Sequence, residues 1–222
     1  MAKLYFRYGA MNSGKSTALL QAAHNYEERG QHVLLAKPAV DTKSAGHVES
    51  RLGMTRETDF LIGHDDNVRE LFAGERSELQ RRYANSLLPS PHTDVACLLI
   101  DEAQFLTTAQ VDDLFRIAVD DGIPVMAYGI RVDFRTHAFE GAARLLAVAH
   151  TLEELKTICR CGRKAVLNGR RIGDRFVFDG DQVAIDGQHA TVDEAAAEAP
   201  ELVTYESLCG SCYLQESGGT LT

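Results

Sequence analysis

Short apolar runs alternate with helically spaced apolar positions over the first 150 residues of the chain. The run 95–100 is apolar throughout, and the run 123–129 is nearly so. Continuous hydrophobicity is typical of strands that are covered on both faces of a parallel sheet. The pattern predicts strands at 4–8, 32–37, 95–100 and 123–129, and helices at 16–29, 67–72, 77–87, 108–121 and 141–149.

The order of these elements predicts the fold class. Strands that alternate with helices indicate an α/β domain over residues 1–150, with a parallel sheet and helices on both faces. The polar stretch 40–63 predicts a loop with little secondary structure. Beyond residue 150 the chain becomes rich in Gly, Arg and Asp, and 191–201 is acidic and Ala-rich. We therefore expect a second, smaller domain at 151–222.

The composition narrows the classes of partner that the protein can be expected to bind. The 222 residues carry a net charge of -9, which argues against sequence-independent binding of nucleic acid, since such binding relies on clustered Lys and Arg. No apolar run approaches the length that spans a bilayer, and the N-terminal residues lack the apolar segment of a secretory signal. We expect a cytoplasmic protein that binds neither nucleic acid nor membrane.

Residues 9–16 match the pattern G-x-x-x-x-G-K-[ST], between a predicted strand and a predicted helix. In this spacing backbone N–H groups converge on a polyphosphate, the lysine reaches the β- and γ-phosphates, and the hydroxyl binds Mg²⁺. The alternative is a Gly-rich turn that opens an ordinary helix. The motif predicts a P-loop NTPase-type domain whose triphosphate site is Gly9, Ala10, Met11, Asn12, Ser13, Gly14, Lys15 and Ser16.

Two acids follow the apolar run 95–100. Asp101 at a strand end is suited to hold Mg²⁺ together with Ser16. Glu102, directly after it, is suited to accept a proton from the nucleophile that attacks the γ-phosphate. Water as the nucleophile would make the protein an ATPase, and a substrate hydroxyl would make it a kinase. The acids alone do not distinguish the two, and they also fit a simple cap on the following helix.

Four cysteines form two close pairs in the last third of the chain: Cys159 with Cys161, and Cys209 with Cys212. Four thiolates are the usual ligands of a structural, tetrahedral Zn²⁺. Four free buried thiols, or two disulfides in an oxidising compartment, are the alternatives. A zinc ion here would pin the base of the loop 162–208, which can then act as a lid over a second substrate.

Taken together, these motifs resemble the type II thymidine kinases, the cytosolic, zinc-containing family. The similarity runs over nearly the whole chain. It rests on residues 9–16, Lys37-Pro38 with Asp41, Ser50-Arg51-Leu52-Gly53, Asp101-Glu102-Ala103-Gln104-Phe105, Tyr128-Gly129 through Asp133-Phe134-Arg135, Leu155-Lys156, both cysteine pairs, and Tyr205 ahead of Cys212-Tyr213.

The resemblance implies ATP-dependent phosphorylation of the 5′-hydroxyl of thymidine to thymidine monophosphate, in nucleotide salvage and DNA precursor synthesis. It implies that Glu102 is the catalytic base and that Asp101 and Gln104 belong to the nucleotide and Mg²⁺ site. It places 151–222 as a zinc-bound lasso domain that closes over the nucleoside. It also implies a homotetramer and feedback inhibition by thymidine triphosphate. The residues implied to bind thymidine are Phe134, Gln182, Val183, Ala184, Ile185, Asp186 and Tyr205.

The chain departs from the family in two places. Asp186-Gly187 stands where the family usually has two glycines, and the stretch 188–204 is longer than the usual link. Two other functions remain open at this point: an ATP-driven motor or switch with a zinc ribbon that binds nucleic acid, and a kinase for another nucleoside or nucleotide.

Overall fold

The computed structural model describes residues 1–40, 46–84, 93–180, 182, 189–190 and 201–221. Within these residues, tertiary contacts define two compact units. The first comprises Met1–Tyr8, Gly14–Gly129 and Glu140–Glu154, and the second comprises Gly9–Ser13, Ile130–Phe139 and Leu155–Thr222. No helix among the described residues is both long enough and apolar enough to cross a membrane.

A six-stranded parallel sheet forms the centre of the first unit. The strands of this unit are β1 (Leu4–Tyr8), β2 (His32–Pro38), β3 (His47–Glu49), β4 (Thr55–Glu57), β5 (Phe60–Ile62), β6 (Val95–Ile100), β7 (Val125–Gly129) and β8 (Thr151–Glu154). The order across the sheet is β5-β2-β6-β7-β1-β8. Strands β2 and β6 are buried along nearly their whole length, as a sheet covered on both faces requires. The predicted α/β class is confirmed.

In the part of the chain that the structure describes, four helices accompany the sheet: α1 (Lys15–Glu27), α2 (Val68–Ala84), α3 (Thr108–Val119) and α4 (Glu140–Val148). Helix α1 contacts β2, β6 and β7, and α3 contacts β1 and β7. Helix α3 starts at a capping box, in which Thr107 accepts from the Gln110 N–H and the Gln110 side chain accepts from the Thr107 N–H. A short 3-10 helix, Ala103–Phe105, follows β6.

The sequence predicted separate helices at 67–72 and 77–87, whereas the structure has one helix over Val68–Ala84, and residues 85–87 lie outside the described residues. Helix α2 continues through Gly74, although a glycine inside a helix costs about 1 kcal/mol. Val68 and Phe72 are fully buried on its inner side. Arg69 and Arg76 tie it to Asp121 and Asp94 through paired hydrogen bonds. Packing and ion pairs therefore outweigh the local cost of the glycine.

The stretch 40–63 also differs from the prediction. Within its described part, β3 and β4 form an antiparallel hairpin, and β5 pairs with β2 as the edge strand of the sheet. The Asp59 carboxylate accepts from the Leu35 N–H, and the Asp59 N–H donates to the Leu35 carbonyl, each at 2.7 Å. Such long-range bonds to a neighbouring strand leave no hydrophobic periodicity, so pattern reading cannot detect them.

The second unit contains a smaller antiparallel sheet and a hairpin. Its elements are β9 (Thr157–Ile158), β10 (Lys164–Ala165), β11 (Leu167–Ile172), β12 (Arg175–Val177), β13 (His189–Ala190), β14 (Glu201–Leu208) and α5 (Gly210–Glu216). The sheet order is β12-β11-β14-β13, and β9 pairs with β10. A small core of Cys159, Ala165, Leu208, Cys209 and Tyr213 holds this unit together.

Candidate active site

Lys15 and Ser16 open helix α1 in the first unit. Gly14 caps this helix at φ 79°, a conformation that glycine adopts without strain, and it offers no side chain to the first N–H groups. The helix N-terminus therefore favours an anionic ligand. Burial lowers the pKa of the Lys15 ammonium, and the attraction of Glu102 and Asp101 opposes this only in part. A bound phosphate would supply further counter-charge to this buried cation.

Asp101 and Glu102 follow directly on β6. Asp101 is buried, and its N–H donates to the Ala36 carbonyl of β2 at 3.0 Å, so it is anchored to the sheet. Glu102 is half-buried and has left-handed backbone angles, φ 48° and ψ 38°. Left-handed conformations are uncommon for residues other than glycine, and they concentrate at functional sites. The backbone of Glu102 is thus held in a specific, unfavourable conformation.

Gln104 fixes the side chain of Glu102. Its Nε2 donates to Glu102 Oε2 at 2.5 Å, and Gln104 itself is 2% exposed. Two glycines make room for this segment. A Cβ at Gly129 would lie 2.7 Å from Gln104 Oε1, and a Cβ at Gly141 would lie 2.6 Å from the carbonyl oxygens of Ala103 and Leu106. The carboxylate is therefore preorganised by a buried amide in a tightly packed turn.

The oxygen donors that the sequence assigns to Mg²⁺ both lie in the first unit. The Ser16 hydroxyl is on the first turn of α1, and the buried Asp101 carboxylate is at the end of β6. A hydroxyl and a carboxylate are the kinds of ligand that Mg²⁺ prefers, usually together with phosphate oxygens and water. The residues present fit this ion.

Residues 9–13 of the loop belong to the second unit. The chain turns here through a hydrogen bond from the Ser13 N–H to the Ala10 carbonyl and a left-handed Asn12 at φ 64°. A Cβ at Gly9 would lie 2.4 Å from both the Leu155 carbonyl oxygen and Ser13 Oγ, so only glycine fits. The Met11 backbone is bonded on both sides, to Asn168 and to Ser207.

The residues implied to bind thymidine are only partly described. Phe134 is 1% exposed, and the guanidinium of Arg170 lies 3.8 Å from the centre of its ring. Tyr205 is half-buried in β14 and lies opposite Arg170 of β11. Gln182 is half-buried. Val183, Ala184, Ile185 and Asp186 lie outside the described residues, as does Asp41.

The four paired cysteines come together in the second unit. Cys159 and Cys161 lie on the turn of the β9–β10 hairpin, where Gly162 has φ 83°. Cys209 caps helix α5, and Cys212 lies in its first turn. The Cys212 N–H donates to Cys209 Sγ at 3.5 Å and lowers the pKa of the Cys209 thiol. All five cysteines are free thiols in the structure.

The geometry of this cluster fits zinc. The four Sγ atoms lie within 4.8 Å of one another, and Cys161 Sγ is 3.5 Å from Cys209 Sγ. A tetrahedral Zn²⁺ with Zn–S bonds of about 2.3 Å needs sulfurs about 3.8 Å apart. The four thiols therefore form a group that can hold a metal ion, and its occupation by zinc stays a prediction.

A parallel α/β sheet, a phosphate-loop motif at the start of its first helix and an acidic pair after a buried strand are together typical of the P-loop class of nucleotide-binding proteins. A family model described as "Thymidine kinase" matches residues 2–213. The chain belongs to the thymidine kinase family. The predicted family and enzyme class are thus confirmed.

Individual relatives of the chain carry the same name as the family model. The chain is 41% identical over 220 residues to a thymidine kinase of Ruegeria pomeroyi, covering 98% of this chain and 96% of that protein. It is 47% identical over 195 residues to a thymidine kinase of Legionella pneumophila (strain Lens), covering 86% of each. It is 45% identical over 187 residues to a thymidine kinase of Enterobacteria phage T4, covering 83% of this chain and 89% of that protein.

Sequence reasoning missed three contributors. Gly129 gives Gln104 its space, and Asn168 and Ser207 bond the Met11 backbone. Gly129 belongs to the quoted Tyr128-Gly129 motif but was given no role, and Asn168 and Ser207 belong to none of the motifs. The signal for the last two is a polar residue at a buried strand position, because buried polar groups are almost always hydrogen-bonded.

Proposed function

We propose that this chain transfers the γ-phosphoryl group of ATP to the 5′-hydroxyl of thymidine, giving thymidine monophosphate and ADP. The observation that carries this proposal is the Glu102 carboxylate, which a buried amide orients at the end of β6, within the electrostatic reach of Lys15. A fixed carboxylate of this kind suits proton removal from a hydroxyl nucleophile. Membership of the thymidine kinase family supports thymidine as the acceptor.

Phosphate binding is assigned to the loop. Backbone N–H groups of residues 9–14 and the Lys15 ammonium hold the triphosphate, and the buried lysine is favoured energetically by the incoming negative charge. Ser16 and Asp101 would hold Mg²⁺, which when bound neutralises charge on the phosphates. Gln104 orients Glu102 and completes this half of the site.

Proton transfer is assigned to Glu102. Its carboxylate accepts the proton of the 5′-hydroxyl while that oxygen attacks the γ-phosphorus in line. The new P–O bond forms as the bond to the β-phosphate oxygen breaks, and ADP leaves. The hydrogen bond from Gln104 occupies one carboxylate oxygen, Oε2, and so leaves the other for the hydroxyl.

Thymidine binding is assigned to residues 151–222 together with Phe134, and ATP binding to residues 1–150. Phe134 packs against the base, and Tyr205 and residues 182–186 grip the nucleoside. Cys159, Cys161, Cys209 and Cys212 hold Zn²⁺, which when bound would cross-link the β9–β10 hairpin to helix α5. The compact arrangement of the four thiols supports this assignment.

Three further properties are taken from the resemblance to cytosolic thymidine kinases. These are assembly into a homotetramer, feedback inhibition by thymidine triphosphate, and action in the cytoplasm. Gel filtration with light scattering tests the first, and ADP release at rising thymidine triphosphate concentration tests the second.

A nucleoside-dependence assay tests the proposed reaction. Purified protein, ATP and Mg²⁺ are mixed with thymidine, with each other common nucleoside, or with DNA, and ADP release is followed by a coupled assay. We expect release that requires thymidine. Release without any nucleoside would indicate an ATPase, and release that requires DNA would indicate a motor. A strict requirement for a different nucleoside would show that this nucleoside, and not thymidine, is the substrate.

A further inference from the structure

The backbone of Met11, in the middle of the phosphate loop, is held from both sides by side chains of the second unit. Its N–H donates to Asn168 Oδ1 at 2.7 Å, and its carbonyl accepts a hydrogen bond from Ser207 Oγ. Asn168 lies on β11 and Ser207 on β14, and they are direct partners in the antiparallel pairing of these strands. One cross-strand pair thus satisfies both polar groups of one loop residue.

These two side chains are fixed in place themselves. Asn168 is 2% exposed and Ser207 is 6% exposed. The Asn168 amide also donates from Nδ2 to the Val132 carbonyl at 3.2 Å. Only one of the two orientations of the Asn168 amide places its oxygen toward the Met11 N–H and its nitrogen toward the Val132 carbonyl. The orientation of the amide is therefore determined. Buried, hydrogen-bonded side chains of this kind change conformation rarely, and they transmit their position to the loop.

The loop needs such support. Asn12, the next residue, has a left-handed backbone at φ 64°, a conformation that Asn tolerates better than most side chains but that remains uncommon outside glycine. The segment 9–14 between β1 and α1 would otherwise lose considerable conformational entropy when it orders around a ligand. Holding the segment in its bound shape beforehand removes part of that loss and raises affinity.

We propose that Asn168 and Ser207 are positioning residues for the phosphate loop, which set the affinity for the triphosphate by fixing the backbone of Met11. This proposal rests on the proposed function, because it takes residues 9–16 as the triphosphate site. The proposal gives strands β11 and β14 a role in nucleotide binding, in addition to the nucleoside binding proposed for the second unit.

The experiment compares variants of β14 whose side chains differ by a single hydroxyl or methyl group. Ser207→Ala removes the hydroxyl that donates to the Met11 carbonyl, and Ser207→Thr keeps it. Thr204→Ala removes a hydroxyl from the opposite face of the same strand and serves as the matched control. The dissociation constant of the Mg²⁺ complex of ATP is measured by titration calorimetry without thymidine, and thermal unfolding of each variant is recorded alongside.

We expect Ser207→Ala to bind ATP about three- to tenfold more weakly than the wild type, the effect of one lost hydrogen bond. Ser207→Thr and Thr204→Ala should stay within about twofold of the wild type. A purely structural role would lower the unfolding temperature of Ser207→Ala and leave its ATP affinity unchanged. That result would overturn the proposal.

The same titrations separate this proposal from the one on which it rests. If the wild type binds ATP and Ser207→Ala binds it equally well, the positioning role alone is wrong. If the wild type binds no ATP, or Lys15→Ala binds as tightly as the wild type, the assignment of residues 9–16 as the triphosphate site fails first. Asn168→Leu, which removes the bonds to Met11 and Val132, should weaken ATP binding at least as much as Ser207→Ala.

Discussion

Gln104 donates a hydrogen bond of 2.5 Å to the carboxylate of Glu102, with a single residue between them in the chain. The contact is possible because Glu102 has a left-handed backbone, which turns the chain directly into the 3-10 helix. A left-handed non-glycine residue costs about 1–3 kcal/mol, so the surrounding packing maintains this conformation. The position of this one carboxylate is therefore maintained at a local cost in stability.

The first prediction concerns Glu102 itself. Glu102→Gln keeps the size of the side chain and removes the proton acceptor. We expect kcat for thymidine phosphorylation to fall by about 10²–10⁴-fold, with ATP binding nearly unchanged. Steady-state ADP release gives kcat, and calorimetry gives the ATP affinity. Glu70→Gln, at an exposed position of α2, is the control. Near-normal turnover by Glu102→Gln would show that another group is the base.

The second prediction concerns Gln104. Gln104→Met keeps the shape of the buried side chain and removes the donor to Glu102, so we expect kcat to fall about tenfold. If Gln104 acts through Glu102, the same change made in the Glu102→Gln background should have little further effect on kcat. Additive losses in the double variant would contradict this dependence.

Gln110→Met provides the comparison for Gln104→Met. Gln110 is also a buried glutamine, but its side chain caps helix α3 and donates to the carbonyls of Gly63 and His64. Its replacement should lower the unfolding temperature and leave kcat of the folded enzyme close to that of the wild type. The two glutamines together separate an effect on catalysis from an effect on folding.

The parts of the fold that were predicted correctly are those with local signals. The run Val95–Ile100 is buried in the sheet, and the spacing of residues 9–16 places Lys15 at a helix start. Strand β5 and the unbroken α2 were not predicted, because they are held by contacts such as Asp59 with Leu35 and Arg76 with Asp94. Distant partners of this kind leave no periodicity in the sequence.

The same distinction holds for the site. Residue type and spacing were enough to select Glu102 and the four cysteines as candidates, and their roles remain predictions. The hydrogen bonds of Met11 to Asn168 and Ser207 join residues that are more than 150 positions apart. Their pairing follows from the register of β11 with β14, and a single sequence does not reveal register across so long a separation.

The third prediction concerns the metal. We expect the purified protein to contain about one zinc ion per chain and Cys209→Ser to lose it. Loss of the ion should lower the unfolding temperature, by about 2–4 °C for each kcal/mol that the ion contributes to folding. Metal analysis and thermal unfolding measure both effects.

Cys97→Ala is the control for the metal content. Cys97 is fully buried in β6 of the first unit, so its replacement changes packing but not the cysteine cluster. This variant should keep its zinc even where its unfolding temperature falls. Zinc retained in Cys209→Ser at the wild-type level would contradict the assignment of the cluster.

The fourth prediction concerns Gly74, the exposed glycine inside α2. A Cβ at this position would meet no other atom within 4 Å. Gly74→Ala therefore adds helix propensity without a clash, and we expect the free energy of unfolding to rise by about 0.5–1 kcal/mol. Gly129→Ala is the contrasting variant, because its Cβ would meet Gln104. Gly129→Ala should lower both the free energy of unfolding and kcat. A Gly74→Ala variant that is less stable than the wild type would contradict the prediction and show that α2 is strained at residue 74.

The last prediction concerns the pH dependence of stability. Arg76 donates two hydrogen bonds to Asp94, and these bonds lower the pKa of the Asp94 carboxyl in the folded state. An acid with a lowered folded pKa stabilises the protein fully above its unfolded pKa, about 3.9, and loses that contribution as the pH falls through the folded value. The gap in urea midpoint between the wild type and Asp94→Asn should therefore be largest near neutral pH and should shrink below about pH 4. Arg76→Gln should show the same narrowing, because it removes the donor that lowers this pKa. A gap of equal size at neutral and acid pH would mean that Asp94 stabilises the fold by packing rather than by its charge.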